Sequence, residues 1–429
     1  MMRHRPLHFS VPAQVLLTAV LLTSCGGSDA PAGSDATSRT TSVPYAPTPD
    51  ADAFYAQPAS LNGKAPGTLL NSREITFAPG MIPQPNPAWQ IQYVTRDVNG
   101  RAIAAIATVI MPLAPGPSGQ QALVSFQHAY DSLGAPCTPS HTVTGDFANA
   151  NSNAETALYL PGLQTQGWTM VVPDYEGPYH AYGAGPLSGQ ATLDGMRAAL
   201  QFEPLGLAAD TPVAMWGYSG GALATSWAAT LQPRYAPELN LVGVASGGTP
   251  ADVFGVVKNA EDSPFFGLIL SAIFGTARAF PELLPPSLLN DKGRQVIESI
   301  KDGCVGDTTD GSSAPSGKLA DYTTAADPYE TPGARAVKPR VTLPLAGQSP
   351  TADIYVYHEM LDELIPIAGA DAMVAAWCAA GTPVSYFRSA SGEHISGAVT
   401  GGPAAFAYLV GQFNGSPVPL VPPLATRCN

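Results

Sequence analysis

Apolar and polar residues alternate through Trp89-Gln90-Ile91-Gln92-Tyr93-Val94 with the period of two expected of a strand that buries one face. Asn99-Gly100 follows, then an apolar run over residues 103–111, which predicts a hairpin closed by a type I′ turn. Five further apolar runs, at 122–126, 168–172, 241–245, 354–357 and 384–387, predict buried strands, as does Val213-Ala214-Met215-Trp216. Between them, residues 192–202, 222–231, 368–379 and 403–413 carry helix-compatible patterns. Antiparallel strands first and alternating strand–helix units afterwards describe an α/β fold, a mostly parallel mixed sheet with helices on both faces. Residues of about 250–340 interrupt that alternation with helix-like pieces, including a continuous apolar stretch over 264–274. The segment reads as an inserted helical cap above the site, or else as a buried structural helix; its apolar stretch is too short to span a bilayer.

The pentapeptide Gly217-Tyr218-Ser219-Gly220-Gly221 lies between a predicted strand and a predicted helix. This is the strand–turn–helix setting of a G-x-S-x-G nucleophile elbow. A turn that lifts a serine above a sheet brings backbone too close for side chains two residues either side, and glycine removes the collision. The first N–H groups of the following helix then point at the reacting carbonyl oxygen, supplying part of an oxyanion hole.

A serine hydroxyl needs a base to take its proton, and that base needs a carboxylate to fix its tautomer. The order expected after an elbow is serine, acid, histidine, with acid and histidine on loops leaving late strands. Asp362 follows the strand at 354–357, and His394 follows the strand at 384–387. Glu363 is a rival acid, while Asp353 opens its strand and so falls at the wrong end of the sheet. Glu359 and Glu393 read as solvated or locally hydrogen-bonding groups. His358-Glu359 begins like a zincin motif, but position 362 is not histidine, so that reading fails. His128, His141 and His180 read as cleft-bordering or backbone-satisfying residues. A second oxyanion donor should come from the loop Gln127-His128-Ala129-Tyr130-Asp131-Ser132, though the residues themselves do not say which N–H it is.

Composition narrows the class. With 429 residues, 45% of them apolar, the chain can bury a large core, and a formal charge of −13 leaves no basic cluster to neutralise nucleic acid phosphates. Residues 1–25 read as a lipoprotein-type signal: Arg3 and Arg5, an apolar stretch over 11–22, then Leu22-Thr23-Ser24-Cys25-Gly26, in which Cys25 would be lipidated. Residues 26–52, rich in Gly, Ser, Ala, Thr, Asp and Pro, read as a flexible linker, which would tether a body at 53–429 to a membrane. Ordinary cleavage and secretion is the alternative. The remaining four cysteines, Cys137, Cys304, Cys378 and Cys428, suggest two disulfides with three connectivities open. No C-x-x-C pair is present, which argues against zinc binding and redox catalysis.

The chain resembles the secretory lipase family, with its yeast lipase A type enzymes and bacterial relatives. The resemblance rests on Phe126-Gln127-His128-Ala129-Tyr130-Asp131-Ser132 with Cys137, on Pro173-Asp174-Tyr175-Glu176-Gly177, on the elbow, on the helical insertion, and on Asp362-Glu363, Ile365-Pro366 and His394. It implies an α/β-hydrolase fold with a helical lid, a Ser219–Asp362–His394 triad, and an oxyanion hole from the N–H groups of Asp131 and Gly220. It also implies disulfides Cys137–Cys304 and Cys378–Cys428. The lipobox and tether depart from the yeast pattern.

These readings converge on a carboxylic ester hydrolase acting through an acyl-enzyme on a small-molecule or lipid ester, without metal or organic cofactor. Aryl-ester or polyester hydrolysis, peptidase or acyltransferase chemistry on the same scaffold, and an inactive cell-surface binding protein are the alternatives. Acyl-chain preference and subunit number are not written in the sequence.

Overall fold

The computed structural model describes Val43, residues 45–416 other than 147 and 310–313, and residues 425–428. Cys25, the signal and the linker up to residue 42 lie outside the described residues. Ten strands form one sheet in the order β1-β2-β3-β5-β4-β6-β7-β8-β9-β10. Strands β1 (Leu69–Thr76), β2 (Pro87–Arg96) and β3 (Ala102–Ile110) are an antiparallel meander whose last strand runs antiparallel to β5. The chain continues through β4 (Leu123–Gln127), α1 (Pro139–Thr142), α2 (Ala150–Thr165), β5 (Thr169–Pro173), α3 (Gly185–Gln201), β6 (Val213–Tyr218), α4 (Gly220–Tyr235) and β7 (Leu241–Gly247). Helices α5 (Val253–Ala260), α6 (Phe266–Ala279), α7 (Asp291–Ile300), α8 (Val305–Thr309) and α9 (Pro332–Val337) follow without an intervening strand. The sheet resumes with β8 (Ile354–Glu359), α10 (Ile367–Ala379), β9 (Val384–Ser389), α11 (His394–Phe413) and β10 (Ala425–Cys428). From β5 to β9 all neighbours are parallel.

Both faces of the parallel strands are buried, as their near-continuous apolar runs require. In β6, Val213 and Met215 join the core beneath α3, α4 and α10. Ala214, Trp216 and Tyr218, pointing the other way, join the one beneath α2 and α11. The helices after β7 build a third apolar cluster, in which Leu268, Ile269 and Leu270 of α6 meet Leu133, Leu364 and Ile365 from loops of the main body.

Several elements differ from the sequence pattern. Strands β1 and β10 are sheet edges, half-polar or short, so neither carries an apolar run. Residues 97–101 join β2 to β3 in place of a two-residue type I′ turn: Gly100 has φ +78° but Asn99 is not left-handed, and the Asp97 carboxylate accepts the N–H groups of Asn99 and Arg101. Helix α11 begins at His394, nine residues before Pro403, because the Glu393 side chain caps its first turn through the N–H groups of Ile395 (2.8 Å) and Ser396 (2.9 Å). Residues 45–52, assigned to the linker by composition, lie against the body. Thr48 N–H and Oγ1 donate to Asp302 (2.6 and 2.7 Å), and Asp50 meets His141 (2.6 Å).

Two disulfides are present, Cys137–Cys304 and Cys378–Cys428. The first ties the loop after β4 to the helical segment, and the second ties α10 to β10. This is the pairing the family resemblance implies.

Candidate active site

The turn from β6 into α4 holds Ser219 at φ +53°, ψ −122°, a conformation L-residues rarely adopt. Its glycines have a steric cause: a Cβ on Gly217 would stand 2.4 Å from the Gly221 carbonyl oxygen, and one on Gly221 would stand 2.0 Å from the Gln127 carbonyl oxygen. Ser219 Oγ therefore stands at the carboxyl edge of the sheet, buried at 8% exposure.

The structure brings three of the predicted residues into one chain of hydrogen bonds. His394 Nε2 is 2.8 Å from Ser219 Oγ, and His394 Nδ1 is 2.7 Å from Asp362 Oδ2. Asp362 Oδ1 accepts the N–H groups of Leu364 (3.1 Å) and Ile365 (2.6 Å). Burial pushes the Asp362 carboxyl up, but hydrogen bonds from His358 and His394, the nearby imidazole charge and the Ile365 N–H outweigh it, holding its pKa well below the usual carboxylate range. The imidazole is fixed through its backbone as well: the Tyr218 hydroxyl donates to the His394 carbonyl (2.7 Å), and Glu363 accepts the His394 N–H (3.1 Å). His394 is the first residue of α11, not part of a loop, because Glu393 directly before it caps the helix. Glu363 thus touches the histidine's backbone, while Asp362 touches its ring.

Asp131, also at positive φ (+42°), lies beside the elbow. A Cβ on Gly220 would fall 1.7 Å from Asp131 Oδ1, so this carboxyl packs directly on the residue that opens α4. The N–H groups of a helix's first turn have no acceptor within the helix, which leaves that of Gly220 available to a ligand. Burial raises Asp131 to about 7. Burial also raises Glu155 to about 8, with the Asp131 carboxyl adding to the effect. For Glu176, burial first and Asp131 second push the pKa well above its ordinary value. Three carboxyls thus lie close enough to raise one another and favour their neutral forms.

The remaining candidates fall elsewhere. His128 bonds Thr156 Oγ1 (2.8 Å), His141 pairs with Asp50, and His180 is buried in the wall of another cleft, with Tyr55 and Asp174. Asp353 sits at the opposite end of β8, where Tyr408 and Arg427 reach it. Glu359 is buried at 4% exposure, which corrects its reading as a solvated group. Sequence reasoning missed His358 as a partner of the acid: its Nε2 lies 3.3 Å from Asp362 Oδ2 and 2.9 Å from the Ile365 carbonyl. It missed the Glu155–Glu176–Asp131 cluster too, although Glu176 belongs to the string Pro173-Asp174-Tyr175-Glu176-Gly177. The cleft over Ser219 is lined by Leu223, Val253, Val256, Leu268, Ile269 and Leu364, so α5 and α6 border the site. Among the described residues no group of three or more His, Cys, Asp or Glu side chains is arranged to hold a metal ion.

A mostly parallel sheet with helices on both faces and a serine elbow at the end of a central strand define an α/β-hydrolase. The model of the secretory lipase family matches residues 143–419, and the chain belongs to that family. A secreted triacylglycerol lipase of Malassezia furfur is 32% identical over 381 residues, covering 86% of this chain and 76% of that protein. A Candida albicans lipase is 33% identical over 384 residues (86% and 82%). A Mycobacterium tuberculosis protein named as a probable inactive lipase is 32% identical over 377 residues (86% and 83%). Among solved structures, Candida antarctica lipase A in its closed state matches with a TM-score of 0.79 at 28% identity, covering 86% of this chain and 87% of that one. A cell-wall-degrading esterase of Xanthomonas oryzae, at 18% identity and TM-score 0.63, shares the fold. The chain is accordingly a carboxylic ester hydrolase of the lipase type.

Proposed function

We propose that this protein cleaves carboxylic esters through a Ser219–His394–Asp362 triad and an acyl-enzyme. The observation that carries the reading is the unbroken chain from Ser219 Oγ through both ring nitrogens of His394 to Asp362. His394 Nε2 takes the hydroxyl proton as Ser219 Oγ attacks the ester carbonyl. Asp362, kept ionised by its hydrogen bonds, stabilises the imidazolium. The N–H groups of Gly220 and Asp131 receive the developing oxyanion. His394 then protonates the leaving alcohol, the acyl group remains on Ser219, and a water activated by the same imidazole releases the acid.

The apolar lining of the cleft favours the aliphatic or aromatic acyl portion of an ester, because burying such a surface gains by removing it from water. Aryl esters and polyesters share that chemistry with triacylglycerols, and rates on a ladder of acyl lengths separate them. One relative is named inactive, but this chain keeps serine, histidine and aspartate in contact, which supports turnover over a binding-only role. The test is Ser219→Ala: turnover should fall on the order of 10⁴-fold or more, and a fluorophosphonate probe should label the parent at Ser219 alone. Near-normal esterase activity in the variant would overturn the assignment. The two disulfides fit an exported protein. Lipidation at Cys25 would hold it at the cell envelope, and mass spectrometry of the mature N-terminus tests that anchor.

A further inference from the structure

One buried imidazole lies beside the triad and takes no part in its proton transfer. His358 is the penultimate residue of β8, four residues before Asp362, and both side chains are fully buried. His358 is not among the residues that line the cleft over Ser219, so it reaches the chemistry only through the acid. Glu363 and Tyr218, the other polar groups at this edge, hold the backbone of His394 and leave the Asp362 carboxylate to be fixed by something else.

The hydrogen bonds of His358 say where its proton sits. Nε2 lies 2.9 Å from the Ile365 carbonyl oxygen, which can only accept, so Nε2 carries the hydrogen. Nδ1 is buried with no partner among the described residues; a proton there would be an orphan donor in the interior, so Nδ1 is the bare nitrogen. Asp362 Oδ2 stands 3.3 Å from the same Nε2 and takes a longer, secondary share of its hydrogen. The Ile365 N–H in turn donates to Asp362 Oδ1 (2.6 Å). His358, Ile365 and the carboxylate thus close a ring of contacts across residues 358–365, and Oδ2 is left facing His394 Nδ1 at 2.7 Å. Burial pushes the Asp362 carboxyl up, and the His358 contact leads those that bring it back down.

We propose that His358 is a positioning residue for ester hydrolysis: with its proton on Nε2 it clamps the turn that carries Asp362 and fixes the rotation of the carboxylate, so that Oδ2 stays on His394 Nδ1 while the imidazolium forms. The proposal rests on the triad reading of the same site. A carboxylate free to rotate loses that alignment, and the loss is felt when charge develops on His394, so it falls on kcat and not on substrate binding. A role in packing alone has a different signature. Ile365 also lines the cleft, so a slackened wall raises KM.

The test compares the full chain with His358→Phe, which fills the site without a donor, His358→Asn, whose donor is too short to reach, and His358→Gln, whose amide N–H falls near the Nε2 position. On dissolved p-nitrophenyl acetate the Phe and Asn variants should lose roughly tenfold or more in kcat with KM within about threefold, and the Gln variant should stay within about threefold of the parent in both. The low-field proton resonance of the His394 Nδ1–H bonded to Asp362 should be broadened or lost in the Asn variant and kept in the Gln variant. If the Phe variant does not fold, the Gln and Asn pair carries the comparison. Full kcat in the Asn variant, a Gln variant as impaired as the Asn one, or a loss confined to KM overturns the proposal. Nitrogen NMR of the parent with isotope-labelled histidine tests the clamp without turnover. The His358 signals, assigned by their absence from the Gln variant, should show a protonated Nε2 and a bare Nδ1, and the opposite tautomer contradicts the proposal. A parent inactive on the ester instead overturns the hydrolase reading beneath it.

Discussion

Replacing Asp131 with asparagine tests the carboxyl beside the oxyanion hole. Asparagine matches its shape, tolerates the positive φ (+42°) and cannot ionise. In the parent the carboxyl is buried, with its pKa raised to about 7, and it packs on Gly220, whose N–H is a proposed oxyanion donor. Once ionised, it would set a second negative charge on the order of 4–5 Å from the developing oxyanion. At an effective dielectric near 20 the repulsion is about 3–4 kcal/mol, a rate factor of roughly 10²–10³. The ionised form is then nearly inactive, and parent kcat/KM on a dissolved ester should fall about tenfold per pH unit above a point near 7, as the neutral fraction does. Asp131→Asn should lie within a few-fold of the parent at pH 5–6 and keep its plateau into the alkaline range. The assay is the pH dependence of kcat/KM for both proteins. An alkaline limb of the same position and slope in the variant would falsify the argument, assigning that limb to another group.

Stability should also depend on pH, with its best range near 4–5. Asp131 and Asp174, raised by burial to about 7 and about 6, hold protons in the folded state that the unfolded chain releases near pH 4, so stability drains as pH rises through 4–7. At ~1.4 kcal/mol per pKa unit, Asp131 alone makes ~4 kcal/mol of stability conditional on low pH. Asp362, held well below its ordinary value, contributes stability present above about pH 4 and lost as pH falls towards its folded pKa. Thermal unfolding from pH 3 to 9 measures both limbs, and a Tm that climbs steadily through pH 5–8 contradicts the first. The Cys137–Cys304 bridge closes a separation of 167 residues between the loop after β4 and the helical segment. Replacing both cysteines with serine should cost roughly 2–5 kcal/mol of stability, read as a lowered Tm; an unchanged Tm would show that Thr48–Asp302 and the apolar contacts of Leu133 already hold that junction.

The chain's local patterns determine a good deal of this protein. The apolar runs of β4 to β9 mark buried parallel strands because such strands must be apolar on both faces, and the glycines around Ser219 mark the elbow because the turn leaves no room for a Cβ. Asp362 and His394 are legible because an elbow fixes the order of its partners and the carboxyl ends of late strands fix where they emerge. Edge strands β1 and β10, the early start of α11 and the docking of residues 45–52 are not legible, since each depends on a capping side chain, an ion pair or a neighbouring strand and not on a periodic face. The carboxyl cluster is the clearest case of tertiary decision. Asp131, Glu155 and Glu176 lie on a loop, a helix and a second loop, and nothing in their local sequence distinguishes them from solvated acids. Burial in a shared interior, a property of how β4, α2 and β5 pack, raises their pKa values and makes them chemically different from the same residues in an open chain.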